Sequence, residues 1–470
     1  MNQKPHRSAG KKNIDLTQTP GNARELAFVV LDEHQRSGKF AAVLLDARLR
    51  EGRFSGEDRR LATEIVYGIV RRQATLDALI EPHLQRPRHK IEDALWTFMQ
   101  MGVYQLVFLT SVPAHAAVYE TVETAKRLGK LRWRGFLNGI LRAVERNLTD
   151  LFSDHAAADA IPITAGRYRQ CSHPIFPNPE TDPGAYFAKA FSFPDWLSQR
   201  WLKRLSRDEL TRIGFWFNTP AKIWLRVNVL KTTREKLLVA LEEAGITAVA
   251  GNLPEAVRLE DSARIEQLPG FSEGWFSVQD YSAMQAARLL SPQPGQFVLD
   301  LCAAPGTKTT HLAELMQNQG TILATDVNAE RLGRIEENVR RLGLEIIQTQ
   351  KISEDGEDIP NGPFDAVLVD VPCSNTGVLG KRPEARWRLR PEDFKELPAL
   401  QKRLLEAACK RLKSGGRLVY STCSIEPEEN NEVVRSILES CPEIQLLEEI
   451  EHVPGKPADG GYQALLCRRE

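Results

Sequence analysis

Phe297-Val298-Leu299-Asp300-Leu301-Cys302-Ala303-Ala304-Pro305-Gly306-Thr307-Lys308 is an apolar run that ends in a loop of small residues and passes at once into a helical pattern. The same plan recurs downstream. Thr321–Thr325, Ala366–Asp370 and Arg417–Ser421 read as further strands, and Lys308–Met316, Ala329–Leu342 and Pro398–Leu412 as the helices between them. Strand–helix alternation of this length implies a parallel sheet with helices on both faces. In such a sheet ligands bind beyond the carboxyl ends of the strands, so the residues just after each apolar run are the candidates for chemistry.

The small residues of the first loop let a ligand approach the backbone. Asp326, at the end of the second strand, stands 20 residues beyond Gly306, the usual offset of an acid that accepts ribose hydroxyls. A Walker loop needs glycines at the positions of Thr307 and Cys302, and a dinucleotide fingerprint needs three glycines where only Gly306 is present. A nucleoside without a pyrophosphate, such as S-adenosylmethionine, fits the loop better.

The third strand ends Asp370-Val371-Pro372-Cys373-Ser374 and the fourth Tyr420-Ser421-Thr422-Cys423-Ser424. A lone cysteine is usually a small buried hydrophobe, but two at the ligand edge of one sheet converge on one crevice. A thiol beside a methyl donor suits methylation at carbon 5 of a pyrimidine. The thiolate adds to carbon 6, an acid at ring nitrogen 3 (the place for Asp370) stabilises the adduct, and a base then removes the carbon-5 proton so that the thiol leaves. Two cysteines can divide attack and release, and the spacing does not say which attacks.

The rest of the chain reads as separate domains, as 470 residues would suggest. Residues 1–20 read as a flexible basic arm, and 21–150 as an all-α unit. In that unit Ser55 caps a helix, a second helix spans Ile91 to Leu109 with Pro113 ending it, and further helices follow over Ala117–Leu128 and Phe136–Val144. Residues 151–185, rich in proline, read as a linker. Residues 186–285 read as a small α+β module with helical Trp196–Phe217, a strand over Ile223–Val229 and a helix over Thr233–Ala244. Residues 286–470 hold the alternating strands and helices. The seven cysteines form no CxxC pair, which argues against a disulfide framework or a metal site. No apolar run is long enough for a membrane span, and no secretory signal is read at the N-terminus, so a cytoplasmic protein is expected. Lys+Arg and Asp+Glu both number 62, but residues 1–150 hold 24 of the former against 17 of the latter. That asymmetry allows polyanion binding by the helical unit. Lys381 to Arg390 adds five cations and Trp387 after the Cys373 loop, suited to phosphate contacts and base stacking.

Val298–His311, Ala366–Trp387, Leu418–Asn431 and Gly460–Leu466 resemble the RsmB/NOP family of RNA cytosine-5 methyltransferases. Arg226-Val227-Asn228 and Val278-Gln279-Asp280 are similar to the small module that precedes the catalytic domain in that family. Arg60–Leu84 and Met101–Arg146 are similar to a NusB-like RNA-binding domain. The resemblance implies a NusB-like helical domain, a small α+β module and a Rossmann-like methyltransferase domain, using S-adenosylmethionine on small-subunit (16S) ribosomal RNA. It assigns attack to Cys423 and assistance in release to Cys373, and sets Asp370 and Lys308 beside the base. It gives Cys302, Ala303, Ala304, Pro305, Gly306, Thr307, Lys308, Asp326, Arg331 and Asp370 to the cofactor. Thr307 stands where the family usually has a second glycine, so a need for positive φ there would strain a β-branched residue. No residue of Gln350–Asp355 aligns with the acid that contacts the adenine. The alternatives are the same chemistry on transfer RNA, or a non-catalytic ribosome-assembly factor.

Overall fold

The computed structural model describes residues 20–261, 263–354, 356 and 358–470. The chain divides into two compact units, one ending at Asn218 and the other running from Thr219 to Glu470. Except for Pro20, the basic arm expected over 1–20 lies outside the described residues.

The first unit begins with six helices: α1 (Ala23–Ser37), α2 (Ala41–Glu51), α3 (Gly56–Ile80), α4 (Asp93–Phe108), α5 (Ala114–Arg127) and α6 (Arg134–Asn147). Ser55 caps α3 as the sequence predicts, its hydroxyl accepting from the Asp58 amide at 3.0 Å. Phe28 of α1 stacks on Phe98 of α4 with ring centroids 4.2 Å apart. Where α3 meets α4, a Cβ on Gly68 would come within 1.9 Å of the Tyr104 ring, so only glycine permits that approach. One expectation needs correcting here. α4 ends at Phe108, and Pro113 is the N-cap of α5. The proline opens a helix, where its missing N–H costs nothing, rather than closing one.

The stretch expected to be a linker is folded. β1 (Leu148–Ser153), β2 (Ala160–Thr164) and β3 (Arg167–Cys171) form an antiparallel sheet in the order β1-β3-β2, followed by α7 (Pro183–Ala190), α8 (Asp195–Leu202) and α9 (Arg207–Asn218). Pro162 escapes the usual penalty because β2 is an edge strand. Arg72, buried in α3, donates to the carbonyls of Pro162 at 2.6 Å and Ile163 at 3.2 Å and tethers the sheet. The helical run expected over Trp196–Phe217 is two helices, broken between Leu202 and Arg207. They fall in the first unit, although the sequence grouped them with the α+β module.

The second unit opens with β4 (Ile223–Val227), α10 (Arg234–Glu243), β5 (Ala248–Ala250), β6 (Ala256–Leu259) and β7 (Phe276–Val278), an antiparallel sheet ordered β5-β6-β4-β7. There follow α11 (Tyr281–Leu290), β8 (Phe297–Asp300), α12 (Thr307–Leu315), β9 (Thr321–Asp326), α13 (Ala329–Leu342), β10 (Ile347–Lys351) and β11 (Phe364–Asp370). Next come α14 (Ala385–Arg388), α15 (Asp393–Lys410), β12 (Leu412–Thr422), α16 (Asn431–Ser440), β13 (Ile444–His452) and β14 (Gly461–Arg468). The seven strands run β10-β9-β8-β11-β12-β14-β13, with β14 antiparallel to both its neighbours and the first five parallel. This is the Rossmann-like sheet expected, extended by three strands. Alternate residues feed two cores. Val298, Leu368 and Val419 pack with α11 and α12, and Leu299, Val369 and Tyr420 with α15 and α16. α15 starts at Asp393, with Pro398 inside it rather than at its first turn. Among the described residues no helix is long and apolar enough to cross a membrane.

Buried Arg226 fastens the small sheet to α12. Its guanidinium donates to Glu314 at 2.8 and 3.0 Å, to Thr310 Oγ1 at 3.0 Å and to the Thr307 carbonyl at 2.7 Å. The helix that carries Lys308 is therefore held from behind by an ion pair shielded from water.

Candidate active site

The strand order reverses between β8 and β11, and the residues beyond their carboxyl ends gather there, as expected of a topological switch point. After β8 the chain turns through Leu301–Gly306, pinned by amides donating from Ala303 to the Thr325 carbonyl (2.8 Å) and from Gly306 to the Ala303 carbonyl (2.7 Å). Gly306 is the N-cap of α12 at φ 95°, and a Cβ there would meet Ile335 at 2.9 Å. The positive φ falls on this glycine. Thr307 is the first helical residue, so the strain foreseen for a β-branched side chain does not arise.

Asp326, at the end of β9, is buried. Its Oδ2 accepts from the Ala304 amide at 3.2 Å and its Oδ1 from the Asn328 amide at 2.9 Å. Each oxygen keeps a lone pair for a hydroxyl donor, a donor set that fits a ribose diol. Arg331 approaches the same carboxylate at 3.5 Å and donates to the Ala304 carbonyl, so it braces the loop against Asp326. Beyond β10, Ile352 is buried and Ser353 bonds through its amide and hydroxyl to Asp358. Cys302 is a poor source of thiolate, since burial and then the charges of Asp300, Asp370 and Asp326 push its pKa up.

Lys308 and Asp370 join the first and third loops, with Nζ 2.8 Å from Oδ2. Burial alone would lower the ammonium's pKa. The adjacent Asp370 charge and the hydrogen bond between them outweigh it and hold Lys308 above the ordinary lysine value. Asp300, just behind, is pushed up to about 7 by burial, and then by the charges of Asp370 and Asp326. The hydrogen bond from Thr309 at 2.6 Å opposes the rise.

The two cysteines meet. Cys373 Sγ lies 3.1 Å from Cys423 Sγ, because β11 and β12 are paired neighbours in register from Ala366↔Arg417 to Asp370↔Ser421. Their hydrogen bond, then burial, then the charges of Cys423 and Glu429 raise the Cys373 thiol well above the usual value. Asn375, at φ 60°, accepts from the Cys423 thiol at 3.3 Å and from Arg382 at 2.7 Å, and donates to the Cys373 carbonyl at 2.8 Å. A non-glycine residue in the left-handed region beside two thiols marks a constrained loop. Sequence reading passed over Asn375, and over the buried Ser374, Ser424 and Glu429. The signal was there, because each cysteine is followed by a serine.

The basic stretch Lys381–Arg390 does not offer five free cations. Lys381 pairs with Asp280 and, at 2.9 Å, with Asp459. Arg382 bonds Asn375, Arg386 is buried and donates to the Leu379 carbonyl, and Arg390 pairs with Asp393 at 2.7 Å. Arg382 and Arg386 thereby bond back to the loop after Cys373. Trp387 remains 36% exposed.

With this geometry in hand, the comparisons with known proteins are specific. A family described as 16S rRNA methyltransferase RsmB/F matches residues 287–464, the NusB family matches 21–146, and an RsmF/B-like ferredoxin-like domain matches 193–266. The chain is 38% identical over 422 residues to a probable ribosomal RNA small subunit methyltransferase B of Synechocystis, covering 89% of each. It is 34% identical to the ribosomal RNA small subunit methyltransferase B of Salmonella paratyphi C, covering 95% of this chain and 99% of that one. Among solved structures, PH0851 superposes with a TM-score of 0.75 at 28% identity, covering 94% of this chain and 98% of the other. A methyltransferase homolog from Pyrococcus horikoshii superposes with a TM-score of 0.55 at 29% identity, covering 61% and 99%.

Proposed function

The chain belongs to the RsmB/F family of 16S rRNA methyltransferases, and from that premise we propose that it methylates carbon 5 of a cytosine in small-subunit ribosomal RNA with S-adenosylmethionine as donor. The observation that carries the reading is the contact of Cys373 and Cys423 at 3.1 Å beside the Lys308–Asp370 pair, next to a loop whose donor set fits a nucleoside.

When bound, the cofactor supplies an electrophilic methyl group. Asp326 and the loop Cys302–Thr307 hold its nucleoside, with Arg331 keeping Asp326 in place. Lys308 pairs with Asp370 in the same cluster, and the form of a cysteine that attacks is the thiolate. The Cys423 sulfur adds to carbon 6 of the base, and the displaced electron pair moves toward carbon 5 and ring nitrogen 3. The Lys308–Asp370 pair carries the proton that nitrogen 3 needs. After carbon 5 is methylated, its proton must leave to a base before the carbon–sulfur bond breaks and Cys423 departs as thiolate. Cys373, in contact with Cys423, assists that release. The target base must be out of any stack to reach the thiols.

The test is Cys423→Ala. Bisulfite mapping of small-subunit ribosomal RNA from cells carrying only this variant is expected to show no methylation at the site that the native protein modifies. Methylation at the native level would overturn the assignment of the nucleophile.

A further inference from the structure

The serine after each cysteine bonds the same carboxylate. Glu429, at the end of the short turn Pro427–Glu429, is fully buried. Its Oε2 accepts from the Ser374 amide at 2.9 Å and from Gln401 Nε2 at 2.9 Å. Its Oε1 accepts from Ser424 Oγ at 2.8 Å and from Ser374 Oγ. Thr376 Oγ1 closes the cluster, 3.2 Å from Ser374 Oγ and 3.1 Å from Ser424 Oγ. The Tyr420 phenol donates to the Glu429 carbonyl at 2.6 Å and fixes the backbone. Gln401 also donates to the carbonyl of Pro372, immediately before Cys373.

Burial pushes the pKa of the Glu429 carboxyl up, and the hydrogen bonds from Ser374, Ser424 and Gln401 oppose the rise. Only an acceptor-only group can take bonds from all of these donors, so the carboxylate clamps the loop after β11 to the loop after β12.

We propose that Glu429 is a positioning residue of the thiol pair: bridging Ser374 and Ser424, it holds the loop after β11 to the loop after β12 and keeps Cys373 and Cys423 in contact. The proposal rests on the function proposed above only for what the thiols act on. The clamp exists without RNA or cofactor, and it is tested without either.

The full-length protein is treated with diamide, and cross-linking of Cys373 to Cys423 is followed by peptide mass spectrometry. Glu429→Gln, keeping its native circular dichroism, is expected to slow that cross-linking by about threefold or more. A merely structural role would lower the melting temperature and leave the cross-linking rate intact. An unchanged rate in folded Glu429→Gln overturns the proposal. If Glu429→Gln does not fold, Ser424→Ala decides. It keeps the carboxylate, removes one arm of the clamp and is expected to slow the same cross-linking. An unchanged rate there overturns the clamp. Should Cys423→Ala leave methylation intact while these thiol measurements come out as expected, the catalytic assignment falls and the clamp stands.

Discussion

Cys373 and Cys423 are 50 residues apart in sequence and 3.1 Å apart at sulfur, brought together by the in-register pairing of β11 with β12. A thiol that assists release is dispensable for attack. Cys373→Ala is therefore expected to form the carbon–sulfur bond and fail to break it. Incubation with substrate RNA and S-adenosylmethionine should leave a protein–RNA species that survives denaturing electrophoresis. Cys373→Ala/Cys423→Ala should leave none. A Cys373→Ala enzyme that turns over at the native rate with no trapped species would remove Cys373 from the mechanism.

Asp300 gives a pH dependence of stability that can be signed. Its carboxyl is pushed up to about 7 in the folded chain, against an ordinary carboxylate value near 3.8. The neutral form is thus favoured on folding. Its contribution is fully present at acid pH and is lost as pH rises from about 4 through 7, amounting at most to about 4 kcal/mol. Asp300→Asn keeps an acceptor for Thr309 and carries no charge. Urea denaturation should show the variant gaining on the native protein between pH 5 and pH 8, with little difference at pH 4. Parallel curves across that range would mean that Asp300 ionises normally.

Which features were legible in the sequence follows from their range. The strands β8, β9, β11 and β12 are continuous apolar runs because helices cover both their faces, so composition alone marks them. The loops that hold Cys302–Lys308, Asp326, Asp370, Cys373 and Cys423 follow those runs directly. β10 and β13 were missed because they lie at the two edges of the sheet and carry exposed polar residues, and β14 because it pairs antiparallel between β12 and β13, outside the strand–helix alternation. Glu429 is one of three acids in Glu426-Pro427-Glu428-Glu429, and nothing in the sequence sets it apart. Only its contacts with Ser374 and Gln401, 55 and 28 residues away, show it to be buried. Lys381 looked available for the same reason, since its partners Asp459 and Asp280 are distant in sequence.

The cofactor loop separates the roles of its two central residues. Gly306 alone carries positive φ, and Thr307 is helical. Gly306→Ala should destabilise the second unit by about 1–3 kcal/mol, from backbone strain together with the close approach to Ile335, and should weaken S-adenosylmethionine binding in calorimetry. Thr307→Gly, which restores the usual family residue, should leave that affinity within about twofold, because no strain is there to relieve. A large gain in affinity from Thr307→Gly would show that the backbone of the loop is strained after all.

The sheet that replaces the expected linker hangs on Arg72. Its guanidinium is buried, donates to the carbonyls of Pro162 and Ile163, and stacks over the Phe108 ring at 4.4 Å. Burial lowers its pKa to about 10. Arg72→Met keeps the apolar stem and leaves the Pro162 carbonyl without its donor, a loss of about 1–3 kcal/mol for an unsatisfied buried acceptor. The penalty should appear locally, because α3 keeps its own hydrogen bonds on either side of Arg72, where the helix is already kinked. Limited proteolysis should then cut faster between residues 148 and 185, while the native protein resists cleavage there. Equal rates in the two proteins, with fast cleavage in both, would show the stretch to be an open linker in solution.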